Sequence, residues 1–156
     1  MKFLALLSLL LLSSCISSKF TPVNEFDFKQ LPPEKIKVHV GRILMEGPYS
    51  EKIARRSAYS LNFDEYNRWC EKPEDLFKRH WQIIFKDNAS AQFSGIIRRF
   101  DFDMTTHEAV IIFDLKTKNK TQQIIVKEGF SGNSATDCVI AMNEAFKKLT
   151  LEITQN

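Results

Sequence analysis

From Lys35 to Ile43 apolar and polar residues alternate. Ile36, Val38 and Val40 share one face and Lys37, His39 and Gly41 the other, which predicts a half-buried strand. Gly47-Pro48 marks a turn, and Ile53 to Leu61 predicts a less regular second strand containing Ala58, Tyr59 and Leu61. Asn62 to Lys72 reads as a loop. Behind it, Leu76, Phe77, Trp81, Ile84 and Phe85 recur at helical spacing; Pro73 suits a first helical position, and Glu74 and Asp75 complement the positive helix end. Asp87-Asn88 ends this helix. Three strands follow. Phe100, Phe102 and Met104 oppose Asp101 and Asp103; Ala109, Ile111, Phe113 and Leu115 oppose Glu108, Asp114 and Lys116; Ile124 and Val126 anchor a strand from Gln122 to Phe130. The turns Thr105-Thr106-His107 and Lys118-Asn119-Lys120 are short enough to make these neighbours antiparallel. A final helix, Ser134 to Ile153, carries the stripe Ala135, Val139, Met142, Phe146, Leu149 and Ile153, with Ser134 and Asp137 resembling a capping box. The order β-β-α-β-β-β-α, with two amphipathic helices, predicts an α+β fold: a two-layer sandwich of a mostly antiparallel sheet with both helices on one face. The other face, with Val110, Ile112 and Ile125, is left for solvent or a partner.

The chain start has a different pattern. Lys2 precedes the apolar run Phe3 to Leu12, about ten residues where roughly 20 would be needed to span a bilayer. Leu12-Ser13-Ser14-Cys15 closes the run as a bacterial lipobox. Small side chains at Ser13 and Ser14 suit an extended backbone in a peptidase, and Cys15 supplies the thiol that is diacylated before cleavage after Ser14. The expected organisation is a signal peptide over 1–14, a lipidated, polar tether over 15–33 that includes Pro32-Pro33, and a periplasmic domain over 34–156. Within the tether, Phe26 and Phe28 alternate across Asp27, a weak strand signal.

Composition supports one folded domain of about 140 residues after processing. There are 13 phenylalanines and two tryptophans to build a core, against only five glycines and five prolines. Lys and Arg number 22 and Asp and Glu 19, a balance that argues against nucleic acid as the main partner. With Cys15 assigned to lipid, Cys70 and Cys138 remain in an oxidising compartment, and a disulfide between them stays open. His39, His80 and His107 fall on separate elements without ligand spacing, so neither a metal nor another cofactor is expected. The pairs Asp101 with Asp103 and Glu74 with Asp75 read as solvated carboxylates. Ser131, in Gly129-Phe130-Ser131-Gly132-Asn133, sits between a strand and a helix like a nucleophile elbow, but Asn133 replaces the second glycine and no histidine follows; a helix-entry turn fits better than catalysis.

Tyr66-Asn67-Arg68-Trp69-Cys70-Glu71-Lys72-Pro73, leading into a helix, resembles the ABC-type transport auxiliary lipoprotein family, the PqiC-like lipoproteins. The matching positions are Tyr66, Arg68, Trp69, Glu71 and Pro73; Arg99-Phe100 and Ala141, Ala145 and Leu149 in the last helix add to the likeness, while Cys70 stands where alanine is usual. The resemblance implies a non-enzymatic periplasmic component that docks on an MCE-domain protein and the permease and ATPase of its ABC system, supporting phospholipid traffic and envelope integrity. It offers Tyr66, Arg68, Trp69 and Glu71 as interface candidates, although Trp69 also suits a core position where strand turns into helix. Alternatives that keep the anchor are a regulator of cell-wall synthesis or envelope assembly, and a direct lipid carrier. Self-association is left open. Ile16 after the lipidated cysteine points to the outer membrane.

Overall fold

The structure, a computed structural model, describes residues 21–33, 37–86 and 91–155. Its elements are β1 (Asn24–Phe26), β2 (His39–Met45), β3 (Lys52–Arg56), β4 (Leu61–Trp69), α1 (Pro73–Ile84), β5 (Gln92–Asp103), β6 (Glu108–Thr117), β7 (Thr121–Gly129) and α2 (Ala135–Thr154). The sheet runs β1-β4-β3-β5-β6-β7, with β2 also paired to β5. Its long ladders, β5–β6 and β6–β7, are antiparallel, as is β3–β4; the shorter β1–β4, β2–β5 and β3–β5 pairings are parallel. The fold is the expected α+β sandwich, with both helices on one face of the sheet.

Three local expectations change. The second predicted strand is two strands: β3 stops at Arg56, the Ser57 N–H donates to the Ser60 carbonyl at 2.8 Å, and β4 returns from Leu61. The segment 62–69, expected as a loop, is β4. It lies near the sheet edge with Asn62, Glu65, Tyr66 and Arg68 exposed, so it has no apolar alternation to betray it. The strand expected from Phe100 starts at Gln92. Phe93, Gly95 and Ile97 face the helices, a register shift between Ile97 and Arg99 sets two arginines in succession, and Phe100 and Phe102 then resume the inward face. Gly95 is required there, since a β-carbon would overlap the Phe113 ring lying across it.

Aromatic rings fill the space between layers. Trp81 of α1 stacks on Phe146 of α2 at 5.6 Å between centroids and meets Phe93 and Phe113 of the sheet edge-on. Its indole N–H is satisfied inside the core by Thr150 Oγ1 at 3.0 Å, and that hydroxyl donates to the Phe146 carbonyl, so neither buried polar group is orphaned. Pro73 occupies the first turn of α1 and Ser134 caps α2, its hydroxyl accepting from the Asp137 N–H at 3.1 Å.

Candidate functional site

The corner where β4 turns into α1 collects most of the residues singled out from sequence. Alternation along β4 sends Trp69 inward: it is 1% exposed, packed on Phe28, Phe100 and Phe102. It therefore takes the core role and presents no surface. Arg68 points outward and pairs with Glu25 on the neighbouring β1. Tyr66 is 48% exposed, and Asp64 Oδ1 accepts hydrogen bonds from the Tyr66 and Asn67 backbone N–H groups, which fixes the strand beneath it. Glu71 takes both its oxygens to Arg79 Nε, at 3.1 and 3.0 Å. Tyr66 and Arg68 thus share the solvent side of β4, while Glu71 belongs to a separate ion-pair cluster. Ser14 and Cys15 lie outside the described residues.

That cluster had no sequence signal beyond Asp27 between two phenylalanines. Arg79 Nη2 donates to Asp27 Oδ1 at 2.8 Å, and His80 Nε2 meets the same oxygen at 2.8 Å. Partial burial works to raise the Asp27 pKa, but the hydrogen bonds from Arg79 and His80 prevail and hold the carboxyl below its ordinary range. Arg79 is pushed up, first by its hydrogen bond to Asp27 and then by Glu71. Cys70 has its thiol raised by burial and by the Asp27 charge, the opposite of what a nucleophile needs. Cys70 and the buried Cys138 are both free thiols.

The cluster holds the N-terminal segment onto the domain. Phe28, next to Asp27, is 4% exposed; it stacks on Phe146 at 4.2 Å and meets Phe77 edge-on. The Cys70 N–H donates to the Phe26 carbonyl, and Asn143 Oδ1 of α2 accepts from the Lys29 N–H. The tether expected over 15–33 is therefore part of the fold from Asn24 onward. A linkage follows with a defined sign. A carboxyl whose folded pKa is lowered adds stability that is present above its unfolded value, near 3.8, and is lost as pH falls through the folded value. Amide hydrogen exchange of residues 24–29 is expected to accelerate relative to β5 and β6 as the pH drops below about 4, and Asp27→Asn to remove that difference.

A second polar cluster lies on the sheet face away from the helices. Asp101, expected to be solvated, is 0% exposed. Its Oδ2 accepts from Tyr49 Oη and Arg56 Nε, each at 2.8 Å, and its Oδ1 from Arg99 Nε at 2.8 Å; Arg99 Nη2 also reaches Asp103. The loop bearing Tyr49 and the arginine of β3 close over the carboxylate, so burial comes from chain 45 and more residues away. Burial and the Asp101 charge together raise the Tyr49 pKa, keeping its hydroxyl a donor. Ser131 is exposed in the turn before α2, where Ser134 provides the helix cap.

Comparison with known proteins locates this arrangement among solved folds. No family model matches the chain, and no curated protein does. A crystal structure of an uncharacterised protein superposes with a TM-score of 0.67 at 9% identity, covering 85% of this chain and 98% of its own. The crystal structure of protein XCC0632 from Xanthomonas campestris, described under family DUF330, superposes with a TM-score of 0.62 at 15% identity, covering 85% and 92%. The likeness is one of fold. It corrects the resemblance read from Tyr66 to Pro73: the neighbour is described under DUF330 and not as a PqiC-like lipoprotein, and no family model carries that resemblance. The physical reason is visible at the corner itself. Trp69 plugs the core and Pro73 starts a helix, so these positions of the pattern answer to packing and mark a fold rather than a family.

Proposed function

We propose that this chain is a lipid-anchored, non-catalytic docking subunit of the bacterial envelope, facing the periplasm from the outer membrane, and that it serves an MCE-type ABC system moving phospholipid between membranes. The reading rests on one pairing: a lipidation signal, Leu12-Ser13-Ser14-Cys15, stands ahead of a compact body whose two organised ionic clusters are occupied with holding that body together. In the corner cluster the thiol is raised and His80 Nε2 is engaged by Asp27, which supports a structural role over catalysis. The anchor is assigned to the lipid on Cys15 because the lipobox Leu12-Ser13-Ser14-Cys15 ends an apolar run too short to span a bilayer; among the described residues no helix is long and apolar enough to cross a membrane.

Docking is assigned to the solvent side of β4. Tyr66 is an exposed aromatic beside Arg68, and these two residue types dominate binding hot spots. A photo-crosslinking amino acid at position 66 in intact cells is expected to capture an MCE-domain protein. Capture of only peptidoglycan-synthesis enzymes, or of nothing above background, would sink the reading.

A further inference from the structure

The sheet ends at β7, which pairs with β6 on one side and with no strand among the described residues on the other. In register with the β6–β7 ladder, the Thr117 N–H donates to the Lys120 carbonyl and the Phe130 N–H to the His107 carbonyl, so the even-numbered residues of β7 turn their backbone groups toward β6. Thr121, Gln123, Ile125, Lys127 and Gly129 therefore turn theirs outward, and all five are exposed. An open edge of this length is a template for a further strand. Ile125, at its centre, is 56% exposed and lies beside Ile112 of β6 on the face away from the helices. On the helix side an open groove of about 530 Å3 separates β7 from α2, where Leu151, 45% exposed, lines it.

The strand that fits this edge is β7 itself. Laid antiparallel on a second copy with full overlap, Thr121 faces Gly129, Ile125 faces its own counterpart, and the outward backbone groups of the two strands fall opposite one another. Only Lys127 and Glu128 are charged in β7, and this register sets a glutamine against each, Gln123 against Lys127 and Gln122 against Glu128, so no like charges meet. Gln123 Nε2 already donates to Asp114 Oδ1 at 2.9 Å, which leaves its Oε1 to accept from the ammonium of Lys127. Gln122 Oε1 is buried with no hydrogen-bond partner among the described residues, and in the same register it approaches the Glu128–Lys148 ion pair of the second copy. Sliding one strand by two residues sets Ile125 against either Lys127 or Gln123, and a slide of four in the first direction sets Lys127 against itself. Charge and apolar matching therefore select the register of full overlap.

The geometry points to a two-fold dimer in which β7 of one copy pairs antiparallel with β7 of a second, joining the two sheets into one with Ile125 on the axis. It does not rest on the docking reading: β4 lies toward the other end of the sheet, so both copies keep Tyr66 free. Cα atoms of a hydrogen-bonded antiparallel pair stand about 5.5 Å apart, inside the disulfide range of roughly 4.4–6.8 Å. The test uses detergent extracts of cells expressing the full chain, with the exposed Cys70 replaced by serine, under mild oxidation by copper phenanthroline. Ile125→Cys is expected to give a disulfide-linked dimer well above the Cys70→Ser parent. Gln123→Cys and Lys127→Cys chains should link to each other when co-expressed and neither to itself, because each lies four residues, about 13 Å, from its own counterpart. Ile140→Cys, 60% exposed on α2, should stay at the parent's level. Without any cysteine change, Ile125→Glu places two carboxylates face to face; light scattering of the purified full chain should show a dissociation constant raised at least about tenfold, with the melting temperature unchanged. A monomeric parent, self-linking at 123 or 127, equal linking at 125 and 140, or capture of a different protein at 125 in place of the dimer would each overturn the proposal. None of these outcomes bears on what is captured at position 66, so the docking reading stands or falls separately.

Discussion

Asp101→Ala is expected to lower the stability of the fold by an amount toward the lower end of the roughly 3–5 kcal/mol lost when a buried ion pair is broken. The carboxylate is wholly buried and accepts from Tyr49, Arg56 and Arg99. Removing it leaves two guanidinium groups facing each other across the sheet. Both are partly exposed, Arg56 at 36% and Arg99 at 22% of the side chain, so water can reach them, and the loss falls short of that for a sealed pair. Tyr49→Phe removes one donor and leaves both arginines paired, and should cost only about 1 kcal/mol. Chemical denaturation of the two variants checks the ratio; equal losses would mean that the loop bearing Tyr49, and not the charge balance, is what matters.

The second large effect is expected at Trp69. Truncation to alanine empties a site enclosed by Phe28, Phe100 and Phe102 and should lower stability by roughly 3–5 kcal/mol. Because Phe28 lies on the same cavity, the loss should loosen the N-terminal segment first, seen as faster proteolysis around residues 24–31 at temperatures where β5 to β7 remain protected. An unaltered melting temperature with lost function in cells would instead return Trp69 to the surface.

What could be read from the chain was set by how local its causes are. The hairpins from β5 to β7 were legible because Phe100 to Leu115 alternate inside one ladder and the turns between them are short. α1 and α2 were legible from their stripes and from Pro73 and Ser134 at their starts. β4 was not, since its inward contribution is mainly Phe63 and Trp69 and its pairing with β3 and β1 joins distant segments. The first half of β5 was hidden by the irregularity at Ile97, which puts Arg98 and Arg99 side by side. Alternation placed Asp101 on the polar face, correctly, but the residues that cover it come from the Tyr49 loop and β3. Asp27 likewise acquires its partners, Arg79 and His80, only when α1 folds against β1. Tyr66 and Arg68 could be named from sequence as outward-facing candidates.

The burial of Phe28 also sets a length. With Cys15 lipidated, a free tether to Pro33 would span at most about 60 Å at roughly 3.3–3.6 Å per residue. With the chain fastened at Asn24, residues 16–23 set an upper bound of about 30 Å at full extension. On the proposed lipid anchor, the body would be confined to a shell over its own leaflet about as deep as the hydrocarbon layer is thick. On that anchoring a partner rooted in the opposite membrane would have to bring its own structure across the remaining gap, and a longer reach would take release of the whole fastening: β1 from β4, Asp27 from Arg79 and His80, and Phe28 from its slot.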